Sequence, residues 1–182
     1  MAGELRGLRD DPFGQLAELE RLLRASRRDA AAGAAQSWTG LGFRIGDTWL
    51  VAPREDVREV IPPPATTRVP NAKPWMRGVA NVRGELLAVV DLPGLLGLGE
   101  TPQQRLQRVL VLNSRRVPVG LLVDEVAGYR QFSPGDQRPA LVARSQPFTP
   151  YLLGAFAREN RQWLAFSLHR LVQDEAFRSA AL

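Results

Sequence analysis

Short apolar runs recur along most of this chain, and glycine or proline stands at most of the joints between them. From Trp38 onward the runs show period-two alternation, as at Leu41, Phe43 and Ile45. Such alternation is typical of strands with one buried face, because successive side chains of a strand point to opposite sides. The spacing therefore predicts an all-β protein of about ten strands in a barrel-type arrangement, with its prolines confined to the joints.

Element by element, the pattern predicts strands at residues 38–45, 48–51, 78–82, 85–91, 106–112, 117–126, 129–132, 140–143, 151–157 and 163–168. The runs at 106–112 and 117–126 are almost continuously apolar, so we expect this hairpin to be buried on both faces. One helical turn is expected at 93–98 and a terminal helix at 169–181.

The strongest turn signal of the chain lies between the predicted strands 78–82 and 85–91, which Arg83 and Gly84 separate. Two residues of this kind between apolar runs predict a β-hairpin, with Gly84 supplying the positive φ of the turn. Arg83 is then expected at the tip, exposed and held rigidly. We expect the side chain of Asn81 to bond the turn backbone and keep Arg83 in place.

Residues 1–36 differ from the rest of the chain. Leucines at helical spacing predict an amphipathic helix over about residues 12–28, and the small residues at 30–35 indicate a linker. We therefore predict an N-terminal helical extension, 1–36, followed by a folded domain, 37–182. The extension packs on its own domain or docks on a partner, and the sequence leaves both possibilities open.

Residue types narrow the possible chemistry. The chain has no cysteine, which excludes thiolate metal sites and a cysteine nucleophile, and a single histidine, His169, expected on a helix surface. No serine stands in a nucleophile-elbow motif, and no glycine-rich phosphate loop is present. Asp91 and Asp124 follow valines at strand ends, where carboxylates usually bracket turns. These observations predict a protein without enzymatic activity or cofactor.

Charge and hydropathy bear on partners and location. The formal net charge is +5, and Lys73 is the one lysine among 24 basic residues. The arginines are scattered, so a basic face for an acidic protein partner is favoured over nucleic-acid binding, which stays the alternative function. No apolar run is long enough to span a membrane, and the charged N-terminus is unlike a secretory signal. A cytoplasmic protein without membrane insertion is expected.

Three motifs carry a family resemblance. The first has the form Pro-x4-Trp-x2-Gly-x4-Arg-Gly, beginning at Pro70, and ends in Val90-Asp91-Leu92. The others are the runs at 119–126 and 151–154. In order and spacing they resemble the CheW-like domain family, the adaptors that couple chemoreceptors to a histidine kinase, over about residues 38–175.

The resemblance implies a fold and a function. The fold would be two small SH3-like five-stranded β-barrel subdomains, with the predicted hairpin of residues 78–91 near the groove that they share. The function would be that of a non-enzymatic adaptor, which binds the regulatory domain of a CheA-like histidine kinase with one surface and the cytoplasmic tip of a methyl-accepting chemoreceptor with another. The candidate partner-binding residues are Trp75, Arg77, Asn81, Val82, Arg83, Gly84 and Glu85.

Two of these assignments have alternatives. Trp75 is either a core or lid residue or a binding hot spot. An apolar groove beside the hairpin requires Val79, Val82 or Leu86 to be partly exposed.

The sequence also departs from the family at two places. Ala88 stands where a proline is common, which restores a backbone donor to that strand. The extension 1–36 is unlike the compact members, and it suggests the branch that serves type IV pilus and twitching-motility systems.

Overall fold

The protein is described by a computed structural model over residues 37–99, 105–114 and 116–179. The predicted N-terminal helix and its linker lie outside these residues. The strands are β1 (Trp38–Ile45), β2 (Thr48–Pro53), β3 (Val57–Ile61), β4 (Met76–Val82), β5 (Glu85–Asp91), β6 (Arg108–Leu112), β7 (Val119–Val123), β8 (Glu125–Phe132), β9 (Leu152–Arg158) and β10 (Arg161–Phe166). The helices are α1 (Leu92–Leu95), α2 (Leu168–Gln173) and α3 (Glu175–Arg178), with 3-10 helices at Arg54–Asp56, Pro134–Asp136, Pro139–Arg144 and Thr149–Tyr151.

The ten strands form two five-stranded sheets. The first has the order β8-β1-β2-β10-β9 and the second the order β3-β6-β7-β5-β4. The second sheet comes from one continuous stretch of chain, whereas the first combines strands from before and after that stretch. Each sheet contains one parallel pair, β2 with β10 and β5 with β7. The mostly-β prediction is confirmed, and the finer assignment to SH3-like barrels stays a prediction.

A single apolar core joins the two sheets. It takes alternate residues from one face of the first sheet, including Phe43, Leu50 and Phe166, and alternate residues of the second, including Leu110 and Leu121. All five side chains are almost completely buried. The opposite face of the second sheet contributes to a smaller core of its own, formed by Ala80, Leu87, Val89, Val109, Val111 and Leu122. The hairpin β6–β7 is therefore buried on both faces, as its continuous apolar runs predicted.

Several predicted elements differ from the structure. The predicted strand 117–126 is divided between β7 and β8, which belong to different sheets, and β3 has no predicted counterpart. Residues 140–143, predicted as a strand, lie in the 3-10 helix Pro139–Arg144, because Pro139 at its first position has the φ of a helical turn and gives no donor to a ladder. The terminal helix is broken in two at Asp174, which has extended backbone angles. The Asp174 carboxylate accepts a hydrogen bond from the Ala176 N–H at 2.8 Å and so starts α3.

Asp56 connects the junction between β2 and β3 to the C-terminal helix. Its carboxylate is buried, accepts the backbone N–H of Leu168 at 3.2 Å and lies 3.4 Å from the Nε2 atom of His169. Burial raises the pKa of the Asp56 carboxyl above its usual value of 3.8, and the nearby His169 opposes part of that rise. His169 itself lies half-exposed on α2, where the sequence placed it.

This raised pKa predicts a pH dependence of stability. A carboxyl that holds its proton more tightly in the folded protein stabilises the fold fully below its unfolded pKa, and that contribution is lost as the pH rises through the folded pKa. The unfolding free energy of the wild type minus that of Asp56→Asn should therefore fall from acid to neutral pH. Denaturant titrations across this range measure the difference.

Asp136→Asn is the matched control, because hydrogen bonds from Ser133 lower the pKa of the Asp136 carboxyl. That contribution is present above the unfolded pKa and is lost as the pH falls, so the corresponding difference should rise toward neutral pH. A flat or rising difference for Asp56→Asn would contradict the assignment.

Candidate partner-binding surface

The hairpin between β4 and β5 has the predicted geometry. Arg83 and Gly84 have φ values of 54° and 87°, and two positive values in a two-residue loop define the type I′ turn that suits twisted strands. The Gly84 N–H donates to the Asn81 side-chain oxygen at 2.9 Å. The Arg83 side chain is 78% exposed. The expectation of an exposed arginine on a turn held by Asn81 is therefore confirmed.

Four charged residues alternate in sign around the hairpin tip. Arg83 lies 3.0 Å from a carboxylate oxygen of Glu59, and Arg58 lies 2.8 Å from one of Glu85 and 3.6 Å from one of Glu59. Glu59 and Arg58 belong to β3, which is the edge strand opposite β4 in the sheet order. The second sheet is thus curled and brings β3 to the tip of the β4–β5 hairpin.

An apolar patch borders the tip on the other side of the hairpin. Leu86 is 68% exposed, and the neighbouring Val79 and Ala88 are half-buried on the same face. Val90, two positions further along β5, already belongs to the shared core. The core face of the second sheet therefore continues into solvent at Leu86. Val82 is half-buried against the smaller core, so the partial exposure that an apolar groove requires is present.

The outer strand of the hairpin is held from the side by the preceding loop. Thr67 and Val79 exchange two backbone hydrogen bonds of 2.8 and 2.9 Å. Gly78 makes this approach possible, since a Cβ atom there would lie 2.3 Å from the carbonyl oxygen of Thr67. The hairpin is therefore supported by both its turn and its flank.

Trp75 and Arg77 lie at the base of β4, whereas the other candidate residues lie at its tip. The seven residues of β4 span about 20 Å, so the structure does not gather all candidates at one point. Trp75 packs on the shared core and stacks on Phe177 with ring centroids 6.3 Å apart. Arg77 lies 2.6 Å from the buried carboxylate of Asp91. Both have structural contacts, and a role in binding stays a prediction.

The predicted turn carboxylates behave as expected. Asp91 accepts the N–H of Gly94 at 3.5 Å and starts α1, and Asp124 accepts the N–H of Gly46 at 2.6 Å. Within residues 37–99, 105–114 and 116–179, no group of three or more His, Cys, Asp or Glu side chains is placed to hold a metal ion.

Among the described residues, no helix has the length and apolar character that a membrane span requires.

The sequence identifies only part of this surface. The structure adds Arg58 and Glu59 of β3 and the exposed side chain of Leu86. We call the tip surface the set of Arg58, Glu59, Asn81, Arg83, Gly84, Glu85 and Leu86. The two β3 residues were missed because β3 is far from the hairpin in sequence and reaches it only through the curl of the sheet. The sequence shows the opposite charges of Arg58 and Glu59, but it does not show that these residues contact the hairpin.

Known proteins are similar to this chain in sequence and in two-sheet architecture. The CheW-like domain family matches residues 39–176, so the chain belongs to this family. Its relatives include the protein PilI of Pseudomonas aeruginosa, which is 42% identical over 94% of this chain and 97% of that protein. Protein FrzA of Myxococcus xanthus is 33% identical over 63% of this chain and 72% of its own length.

A solved structure shows the same fold. The scaffolding protein TtCheW of Thermoanaerobacter tengcongensis superposes with a TM-score of 0.64 and 20% identity, over 76% of this chain and 94% of that one. At this identity the likeness concerns the architecture.

The tip geometry predicts two separate effects on stability. Arg83→Ala should change the unfolding free energy by less than about 1 kcal/mol, because an exposed ion pair contributes little. Gly84→Val should cost about 1–2 kcal/mol or more, since a β-branched residue is strained at a φ of 87°. Chemical denaturation of both variants measures these costs, and a large loss for Arg83→Ala would show that the arginine is part of the framework.

Proposed function

We propose that this protein is a non-enzymatic adaptor of a chemosensory array, which couples chemoreceptors to a CheA-like histidine kinase. Membership of the CheW-like family supports the general role. The tip surface carries the assignment, because it has an exposed arginine on a type I′ turn and, three positions further along the chain, an exposed leucine.

The ion pair between Arg83 and Glu59 leaves Arg83 available to a partner. Solvent reaches the Arg83 side of this pair, and ion pairs open to solvent contribute about 0–1 kcal/mol. Glu59 also keeps Arg58 at 3.6 Å, so a carboxylate or a set of helix-end carbonyls on a partner can replace Glu59 at small cost. Arg83 brings five N–H donors in a planar fork, which suits a bidentate contact. Because the turn is already fixed, little backbone entropy is lost when the contact forms.

Leu86 supplies the apolar part of the contact. Arginine is enriched in binding hot spots, which are surrounded by contacts that exclude water, and an apolar side chain such as Leu86 can form a contact of that kind. Removal of Leu86 from water on docking also contributes free energy in proportion to its buried apolar area. We assign direct contact to Arg83 and Leu86, with Asn81 and Gly84 fixing the turn and Glu85 and Val82 fixing its flanks. Trp75 and Arg77 support the base of the hairpin.

The partners we propose are the regulatory domain of the kinase and the cytoplasmic tip of a methyl-accepting receptor. An adaptor without catalytic chemistry alters kinase activity only if its contacts are stronger in one state of the assembly than in another. Two sheets joined by one core can present two separate surfaces at a fixed distance. This rigidity would let a conformational change at the receptor alter the contacts at the kinase.

We further propose that the array serves a type IV pilus and twitching-motility system. The likeness to PilI covers 94% of the chain, which necessarily includes most of residues 1–36. The match to the chemotaxis protein CheW of Thermotoga maritima, at 32% identity, covers 53% of the chain. The extension is therefore shared with the PilI protein, and this supports the pilus branch.

The nucleic-acid alternative gains no support from the surface. Around the hairpin tip the arginines alternate with glutamates, whose carboxylates would repel a phosphate backbone.

The proposal predicts that Arg83→Glu abolishes most receptor-dependent activation of the kinase while the fold is kept. Loss of a charge-assisted hydrogen bond costs about 1.5–3 kcal/mol, which lowers affinity for the partner about tenfold or more. Phosphorylation assays with a CheA-like kinase and a methyl-accepting chemoreceptor, together with pull-downs, measure both quantities.

Arg178→Glu is the matched control, because Arg178 is exposed on α3 and lies outside the tip surface. Unchanged coupling in Arg83→Glu would remove the hairpin from the interface. An equal loss in Arg178→Glu would attribute the effect to total charge.

A further inference from the structure

A second surface lies on the first sheet, away from the hairpin in sequence and built from other strands. A cleft of about 530 Å³ opens where the β1–β2 turn, the β9–β10 turn and the segment after the 3-10 helix Pro139–Arg144 meet. Its lining comes from three regions of the chain, at residues 47–49, 144–148 and 160–164. The tip surface contributes no residue to it.

The floor and wall of the cleft are apolar and aromatic. Phe148 and Leu164 line it and belong to the shared core, so its floor is fixed by the main packing of the protein. Trp49 is half-buried and packs on the buried Trp163, with ring centroids 5.4 Å apart. The indole of Trp49 therefore forms a firm aromatic wall.

Two arginines in the lining are available to an acidic ligand. The guanidinium groups of Arg144 and Arg161 form no ion pair with any acidic side chain in the part of the chain that the structure describes. Asp47 is the one carboxylate among the lining residues. The cleft thus has a net positive charge and two donor forks that a ligand could use.

Arg161 is held in place before any ligand binds. It follows a turn in which Glu159 and Asn160 have φ values of 54° and 57°, so the backbone before it is fixed. Its guanidinium carbon lies 4.2 Å from the centre of the Trp49 ring and 5.7 Å from that of Trp163. These cation–π contacts limit the freedom of the side chain, which reduces the entropy lost when it binds an anion.

We infer that this cleft binds an acidic peptide segment of a partner protein, with carboxylates on Arg144 and Arg161. The side-chain amides of Gln146, Asn160 and Gln162 also line the cleft and can bond a peptide backbone. Asp47 at the same site disfavours a phosphate chain, whose charges are closely and evenly spaced. The occupant is therefore a protein segment with separated carboxylates and not a nucleic acid.

A fluorescent oligoglutamate peptide is the probe, with an oligoglutamine peptide of equal length and a single-stranded oligonucleotide of equal charge for comparison. Anisotropy titrations of the full-length protein should show oligoglutamate binding that the double substitution R144A/R161A weakens about tenfold or more. The double substitution R105A/R178A removes the same charge from exposed positions outside the cleft and should leave binding within about twofold. Thermal denaturation confirms that both variants fold.

Several results would overturn the inference: no binding of oligoglutamate, equal binding of oligoglutamine, tighter binding of the oligonucleotide, or equal weakening in the two double variants. Arg83→Ala separates this site from the adaptor surface. Retained oligoglutamate binding in Arg83→Ala supports the cleft whatever the coupling assays show, and its loss would place the probe at the hairpin.

Discussion

The apolar core shared by the two sheets is the interaction on which the rest of the structure depends. Residues such as Phe43 from the first sheet and Leu121 from the second are fully buried against it, and α2 covers it with Leu168 and Leu171. At about 25 cal/mol per Å² of buried apolar area, a core of this extent is the main source of stability for a chain without disulfides. It also fixes the two sheets, and with them the two surfaces, relative to each other, because close-packed interiors deform little.

Both proposed surfaces lie where a row of core residues reaches the surface of the protein. Leu86 continues the alternate row that includes Val90, and Leu164 of the shared core forms the floor of the cleft on the first sheet. In both places an arginine lies in or directly after a turn with positive φ values, on a surface that also has apolar side chains. The same physical scheme, an arginine at such a turn on a partly apolar surface, therefore occurs once on each sheet.

Local chemistry explains what could be predicted from the sequence. The Arg83-Gly84 turn, the Asn81 contact and the buried β6–β7 hairpin follow from residues close together in the chain, and all three are present. The sequence does not predict strand β3, because Arg58 and Glu59 interrupt its alternation, and the partners of these residues on the hairpin depend on the curl of the sheet. The apolar residues at 140–143 favour a strand, although Pro139 before them starts a 3-10 helix.

The interleaved order of the strands has a consequence for synthesis of the chain. The second sheet uses only consecutive strands, β3 to β7, so it can form as soon as that stretch has left the ribosome. The first sheet must wait for β10, which pairs with β2 from the other end of the domain across more than 100 residues. Until β10 has been synthesised, the edge of β2 that pairs with it has no partner and is open to mispairing.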